Sequence, residues 1–109
     1  MSDVTVAEAL QLLADGALLI DVREQDEWDA GHAPQARHLP LSALNQRAGE
    51  LPRDRQLVCV CHIGGRSAMV TRALNQAGWQ VANLEGGMQA WQLSGQPVVD
   101  ADGNPGEAR

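Results

Sequence analysis

One stretch of the chain, residues 57–67, passes from a buried-strand pattern directly into a helix pattern. Four apolar or sulfur-bearing residues run straight into Cys61, two glycines and an arginine. Apolar residues then recur at helical spacing over 66–77, and Gly78 suits the position just after a helix. Because the first turn of a helix offers unpaired N–H groups and a positive dipole end, the stretch predicts a thiol beside an anion-binding turn.

Short strands alternate with helices along the rest of the chain. Thr5 and Glu8 form a capping box for a first helix that is expected to end near Gly16. The apolar run 17–20 shows no alternation, which suits a strand buried on both faces. Further helices are predicted at 25–30, 42–48, 66–77 and 88–93, and further strands at 36–39, 56–60 and 79–84. The alternation predicts an α/β fold with a parallel sheet covered by helices on both faces.

Length and composition limit the domain count and the partners. A chain of 109 residues suits one domain, predicted at 1–99, with 100–109 as a flexible tail. The net charge of −6 and the absence of lysine argue against nucleic-acid binding, and the longest apolar run is too short to cross a membrane. Cys59 and Cys61 lie too close along one strand to form a disulfide, so free thiols and a cytoplasmic location are expected.

The cysteine loop contains the groups that activate a thiol. A cysteine reacts as its thiolate, so its pKa must fall for reaction at neutral pH. Gly64 and Gly65 allow successive N–H groups to converge on one anion, and Arg66 supplies the fixed positive charge of the loop. We interpret Cys61 as a nucleophile and Cys59 as a core residue.

Two loop residues keep more than one interpretation. Arg66 either holds a substrate oxyanion or forms an ion pair, for instance with Asp21. His62 either tunes the thiolate or is an inert exposed imidazole.

The loop Cys61–Ser67 resembles the active-site loop of the rhodanese-like sulfurtransferases. Two other parts of the chain match the family in the same order, and the resemblance extends from about Val4 to Val99. These parts are Leu19–Arg23 with Glu27, Trp28, Gly31 and His32, and then Gly78, Trp79, Leu84–Met88, Trp91 and Gly95–Val98.

The resemblance implies a three-layer α/β/α rhodanese-like domain with a central parallel sheet of about five strands. It also implies that Cys61 takes the outer sulfur of thiosulfate or another donor as a persulfide and passes it to cyanide, a thiol or a thiol-containing partner protein. The implied reaction requires no metal or organic cofactor. The implied substrate-binding residues supply backbone N–H groups that stabilise the anionic persulfide. They are His62, Ile63, Gly64, Gly65, Arg66 and Ser67.

The same resemblance assigns structural roles to residues near the loop. Asp21 and Arg23 are expected to be structural, with Arg23 paired to an acid such as Glu27 or Glu85. Trp28 and His32 receive the same structural interpretation.

Three rival functions stay open at this point. A cysteine phosphatase or arsenate reductase would use a similar cradle, but the resemblance places one more residue between Cys and Arg in such loops, and only four separate Cys61 from Arg66 here. A persulfide carrier would load Cys61 without rapid turnover. A metal site built from Cys59, Cys61, His62 and His32 is the weakest of the three, because Cys59 should face the core.

Overall fold

A computed structural model of the protein describes residues 3–109, which form five parallel strands and five helices. The strand order is β1-β5-β4-β2-β3, with β4 at the centre of the sheet. The strands are β1 (Asp3–Val4), β2 (Leu18–Asp21), β3 (Arg37–His38), β4 (Gln56–Val60) and β5 (Gln80–Leu84). The helices are α1 (Val6–Ala14), α2 (Gln25–Ala30), α3 (Leu44–Arg47), α4 (Gly65–Gln76) and α5 (Gly87–Leu93). Two short 3₁₀ turns, Leu41–Ala43 and Ala48–Glu50, flank α3.

The register brings the carboxyl ends of the central strands together. Asp21 of β2 pairs with Val60 of β4, and Cys59 pairs with Asn83 of β5. In an open parallel sheet this edge is where ligands bind. The loop after β4 therefore opens between the ends of β2 and β5.

Two apolar cores cover the sheet. Val58 and Val60 of β4 point to the face covered by α1 and α5, where Trp91 is fully buried. Leu57, Cys59 and the following Cys61 point to the other face, against α4. Alternate residues of β4 thus fill both cores, which explains its nearly continuous apolar sequence.

The predicted α/β fold and three-layer architecture are confirmed, as are most elements to within two residues. The capping box is present, since the Glu8 N–H donates to Thr5 Oγ1 at 3.1 Å and the Thr5 N–H donates to Glu8 Oε1 at 2.9 Å. Strand β1 was not predicted, because two residues at a sheet edge show no period. The predicted helix 42–48 is divided into an α turn between two 3₁₀ turns.

The C-terminal residues 100–109, expected to be a flexible tail, make defined contacts with the domain. The Glu107 N–H donates to the Ala30 carbonyl at 3.1 Å, and the Ala108 N–H donates to Gln92 Oε1 at 3.0 Å. The Gly31 backbone allows this approach, because a Cβ there would lie 2.5 Å from the Glu107 carbonyl oxygen. The turn-forming residues of segment 100–109 thus fold the chain back onto the domain. Within residues 3–109, no helix has the length and apolar character needed to cross a membrane.

Candidate active site

The cysteine loop is held from behind by the start of helix α5. The Met88 N–H donates to the Cys61 carbonyl at 2.8 Å, and the Gln89 N–H donates to the His62 carbonyl at 3.0 Å. Gly87 lies against the same two carbonyls with a φ of +58°, and a Cβ at this position would collide with both. The sequence Gly86–Met88 is therefore explained by the close approach of α5 to the loop.

The Cys61 sulfur lies at the centre of converging hydrogen-bond donors. Its Sγ accepts from the Gly64 N–H at 3.2 Å, from the Ser67 N–H at 3.4 Å and from the Ser67 hydroxyl at 3.2 Å. Gly64 has a φ of +112°, a left-handed conformation that suits glycine, at the point where the loop turns into helix α4. The loop and the first turn of α4 thus form a cradle for a negatively charged sulfur.

The two cysteines have opposite pKa shifts. Burial would raise the pKa of the Cys61 thiol, but hydrogen bonds from the Ser67 hydroxyl and from the Ser67, Gly64 and Arg66 N–H groups outweigh burial and lower it. Burial raises the pKa of Cys59 to about 12, well above the ordinary 9.0. This contrast agrees with the interpretation of Cys61 as the reactive thiol and Cys59 as a core residue.

Arg66 does not extend into the cradle. Its Nη1 and Nη2 donate to Glu27 Oε1 and Oε2 at 2.7 and 2.8 Å, a bidentate pair that links α4 to α2. The Arg66 side chain hydrogen bond is the main reason that the pKa of Glu27 falls from 4.5 to about 2. The structure therefore places Arg66 in an ion pair, with Glu27 as the partner in place of the suggested Asp21.

Arg23 is also paired differently from the expectation. It is fully buried and forms its ion pair with Asp21, at 2.8 Å between Nη2 and Oδ2, not with Glu27 or Glu85. Other N–H groups of Arg23 donate to the main-chain oxygens of Gly31 and Arg109 at 2.7 and 2.9 Å. Asp21 and Arg23 thus brace the strand end that flanks the loop.

Trp28 of helix α2 packs against His32, which follows the helix. The Trp28 ring stacks on His32, with ring centroids 3.6 Å apart, and on His38 at 4.6 Å. A ring nitrogen of His32 lies 2.7 Å from the Trp28 carbonyl oxygen, and a ring nitrogen of His38 lies 2.7 Å from the Arg23 carbonyl oxygen. These contacts orient α2 and with it Glu27.

The remaining loop residues divide by exposure. Ile63 is 63% exposed at the tip of the loop, and its side chain is free to contact an incoming molecule. His62 contributes its carbonyl to α5, and Gly65 begins α4. In the structure, the N–H groups of Gly64 and Ser67 lie within hydrogen-bond distance of Sγ, and the Arg66 N–H also helps to lower the Cys61 pKa.

Asn83 is a residue beside the cradle that the sequence analysis did not predict. It is 5% exposed, and its Oδ1 accepts from the Ser67 hydroxyl at 2.6 Å. A polar residue in the otherwise apolar strand 81–84 was the available signal, because buried amides need specific partners. Asn83 extends the site from the loop to the neighbouring strand.

The arrangement defines a class of protein: an α/β domain that stabilises one anionic sulfur at the carboxyl edge of its sheet. Among residues 3–109, no three His, Cys, Asp or Glu side chains come together as a metal site, and Cys59 points into the core. The chemistry available is nucleophilic attack by Cys61 and stabilisation of its anion by hydrogen bonds.

The chain belongs to the rhodanese-like domain family, whose model matches residues 5–94. It is 40% identical over 96 residues to a sulfurtransferase of Allochromatium vinosum, an alignment that covers 85% of this chain and 90% of that protein. A crystal structure of a rhodanese-related protein from Thermoplasma volcanium superimposes with a TM-score of 0.84 at 30% identity, covering 91% and 98% of the two chains. A thiosulfate sulfurtransferase from Pseudomonas aeruginosa gives a TM-score of 0.81 at 27% identity, covering all of this chain and 22% of that one.

Proposed function

We propose that the protein transfers the outer sulfur of thiosulfate, or of another persulfide-type donor, through a persulfide on Cys61. The Cys61 thiolate attacks the outer sulfur and forms an S–S bond. The S–S bond of thiosulfate breaks, and sulfite leaves with the bonding electrons. No net oxidation occurs, since one sulfur–sulfur bond replaces another.

The second half of the cycle regenerates the thiolate. Cyanide or an acceptor thiolate attacks the terminal sulfur of the persulfide, and the Cys61 thiolate leaves with the electron pair. The products are thiocyanate or a new persulfide, and the chain needs no further reactant. Both halves require stabilisation of a negative charge at or next to Sγ.

One observation supports this proposal above the others: the Cys61 sulfur accepts three hydrogen bonds from Gly64 and Ser67. These donors favour the thiolate over the thiol. Phosphoryl transfer is less well supported, because the four-residue spacing to Arg66 is short and the guanidinium is occupied by Glu27. We expect no phosphatase activity.

A persulfide carrier that delivers sulfur to a thiol-containing protein is the second candidate. The observation that favours it is the exposed apolar side chain of Ile63 at the loop tip, with Met69 of α4 52% exposed nearby in sequence. A carrier would load Cys61 and react slowly with free cyanide, whereas an enzyme would turn over. In either role the two free thiols suit a reducing, cytoplasmic compartment.

Intact mass spectrometry before and after thiosulfate tests the proposal. We expect one added sulfur atom on the wild type, lost on addition of cyanide, and no adduct on Cys61→Ser. Cys59→Ala is the matched control and should load like the wild type. A wild type without an adduct would disprove the sulfur-transfer proposal. Hydrolysis of an aryl phosphate that depends on Cys61 would favour the phosphatase instead.

A further inference from the structure

The Ser67 hydroxyl has one proton and three acceptors around it. Its Oγ lies 2.6 Å from Asn83 Oδ1, 3.2 Å from Cys61 Sγ and 3.3 Å from the Gly64 carbonyl. One hydroxyl proton cannot serve all three at full strength. The shortest contact is the one to Asn83, so the amide competes with the sulfur for this proton.

The orientation of the Asn83 amide is fixed by its other neighbours. Its Nδ2 donates to Asp3 Oδ1 at 3.1 Å and to the Gly64 carbonyl at 3.3 Å. Both neighbours are acceptors, so a rotated amide would place oxygen against oxygen on that side. Oδ1 must therefore face Ser67, and there it can only accept a hydrogen bond.

We propose that Asn83 is a positioning residue that holds the Ser67 hydroxyl proton while Cys61 is a thiol or a persulfide. When Cys61 becomes a thiolate, the hydroxyl rotates and donates to Sγ. The proton stays on Ser67 Oγ throughout, and no covalent bond changes. In the thiol state Ser67 Oγ is then free to accept from the Cys61 S–H.

This competition sets a balance between the two roles of Cys61. The sulfur is a nucleophile in the first displacement and a leaving group in the second, and a thiol's nucleophilicity falls as its pKa falls. Donation to the thiolate costs the hydrogen bond between the Ser67 hydroxyl and Asn83 Oδ1, so the thiolate is less stabilised than it would be without the Asn83 acceptor. Loss of the Asn83 acceptor should therefore lower the Cys61 pKa.

Other charged and titratable groups around the sulfur stay in place in the test. Asp3 of β1 lies behind the Asn83 amide, and His62 belongs to the loop itself. Arg66 of α4 is held by Glu27 of α2. Replacing Asn83 also removes its amide donors to Asp3 and to the Gly64 carbonyl, so the effect of the lost acceptor must be separated from theirs by a variant that lacks the Ser67 hydroxyl.

Titration of the thiolate by its ultraviolet absorbance tests the proposal on Asn83→Leu. Leucine has a similar volume and offers no acceptor. We expect a lower apparent pKa and, at a pH below it, about fivefold more thiolate than in the wild type, the factor that one ordinary hydrogen bond provides. Cys59 is silent in this titration because its pKa is about 12. An unchanged or higher pKa would overturn the proposal.

Two further variants separate the proposed route from a general disturbance. Asn75→Leu removes an amide that bonds the Val81 backbone of the same strand, at 2.8 and 2.9 Å, and should leave the pKa unchanged. In a Ser67→Ala background, Asn83→Leu should have no further effect, because the hydroxyl is gone. A shift of equal size in that background, or in Asn75→Leu, would contradict a route through Ser67.

Folding of the variants is followed by circular dichroism. If Asn83→Leu does not fold, Asn83→Ala with the same Ser67→Ala cycle gives the test. Asn83 lines a cavity of about 140 Å³ with Asp3 and Thr71, so a water molecule entering beside alanine would act as a weaker acceptor. The expected shift then has the same sign and a smaller size, and an absent or opposite shift overturns the proposal.

A second consequence rests on the proposed sulfur transfer. The variant should hold less persulfide at equilibrium with sulfite, because its thiolate is more stable, and mass spectrometry gives the ratio. If the wild type forms no persulfide, the proposed function fails while the thiolate titration still tests Asn83.

Discussion

Cys59 lies inside strand β4 and Cys61 lies in the cradle just after it, and a comparison of the two regions shows that burial alone does not determine the pKa of a cysteine. Cys59 in the strand interior and Cys61 in the cradle both face the core beside α4, with 0% and 1% of their surface exposed. The pKa of Cys59 is raised to about 12, whereas the pKa of Cys61 is lowered. Only Cys61 accepts backbone N–H donors, which come from Gly64 and Ser67.

The difference arises from where the strand stops. Within β4 the backbone N–H groups are used by the neighbouring strands, so Cys59 finds none to stabilise a thiolate. One residue past the strand, the backbone turns into the start of a helix, where N–H groups are free. A shift of two residues along the chain thus changes the reactivity expected of the thiol. Substitutions that displace the N–H donors should therefore change the reactivity of Cys61.

The largest expected effect is the difference in alkylation between the two thiols. At one pH, a thiol of pKa about 12 holds about a thousandfold less thiolate than one of pKa 9.0. We expect iodoacetamide to label Cys61 in the folded protein and to leave Cys59 unlabelled, as shown by peptide mass spectrometry. Unfolding in urea should label both. Equal labelling in the folded state would remove the contrast between the regions.

Gly87→Ala should disturb the cradle without touching its sequence. The new Cβ would collide with the Cys61 and His62 carbonyls, so the loop must shift. The hydrogen-bond donors of Gly64 and Ser67 would then no longer point at the Cys61 sulfur. We expect sulfur loading of Cys61 to slow by about a hundredfold, the cost of a misplacement of about 1 Å. Initial rates with thiosulfate measure this effect.

Gly95→Ala is the control for this substitution. Gly95 also has a positive φ, +83°, but no atom lies within 4 Å of a Cβ placed there. It should lose some stability through backbone strain and keep its loading rate. Equal losses of rate in the two variants would mean that strain, not the collision with the loop, controls the cradle.

Ser67→Ala removes the side-chain donor and keeps both N–H donors. The pKa of Cys61 is lowered by the Ser67 hydroxyl, so the variant's pKa should rise toward the ordinary value. The rate of sulfur loading increases as the pH rises through the pKa of the Cys61 thiol. In the variant, the midpoint of this increase should move to higher pH, and below the midpoint the rate should be about tenfold lower than in the wild type. A midpoint that does not move would assign the low pKa to the backbone alone. Thr71→Ala, also in buried surroundings on α4, is the control.

The sequence predicted the helices and strands more fully than the pairing of charges. Strand β4 and helix α2 have the predicted bounds, because strand composition and helix stops are local signals. The partner of Arg23 was predicted wrongly, since it pairs with Asp21, two residues before it. For Arg66 an ion pair was one of two interpretations, but its partner Glu27 was not predicted, because that contact depends on the packing of α2 against α4. Glu27 and Arg66 are 39 residues apart, and no local pattern relates them.

Asn83 was missed for the same reason. Its partners Ser67, Gly64 and Asp3 lie on three other segments, and only the sheet register brings them together. The contacts of residues 100–109 likewise depend on the Gly31 backbone, which is remote in sequence. Local composition determines which residues can be reactive, whereas the fold decides which donors reach them.

Glu27→Gln carries the smallest expected effect, because it changes the rim of the cradle and leaves the donors to Sγ intact. The substitution frees Arg66 from its ion pair at the edge of the loop. We expect loading rates within about threefold of the wild type and a stability loss of about 1 kcal/mol at neutral pH, small because water screens a pair whose arginine is 34% exposed. A loss of activity near that of Gly87→Ala would instead give Arg66 a central role.

The same variant has a defined pH signature. The folded pKa of Glu27 is depressed from 4.5 to about 2, so the ion pair stabilises the fold above pH 4.5, and this contribution is lost as the pH falls toward 2. The difference in unfolding free energy between wild type and Glu27→Gln should therefore shrink across this window. Urea unfolding at a series of pH values measures it. Glu50→Gln gives the comparison for an exposed pair, since Arg47 and Arg37 also lower the pKa of Glu50. A difference that stays constant from neutral pH to pH 2 would show that the pair does not titrate and that Arg66 is held by packing.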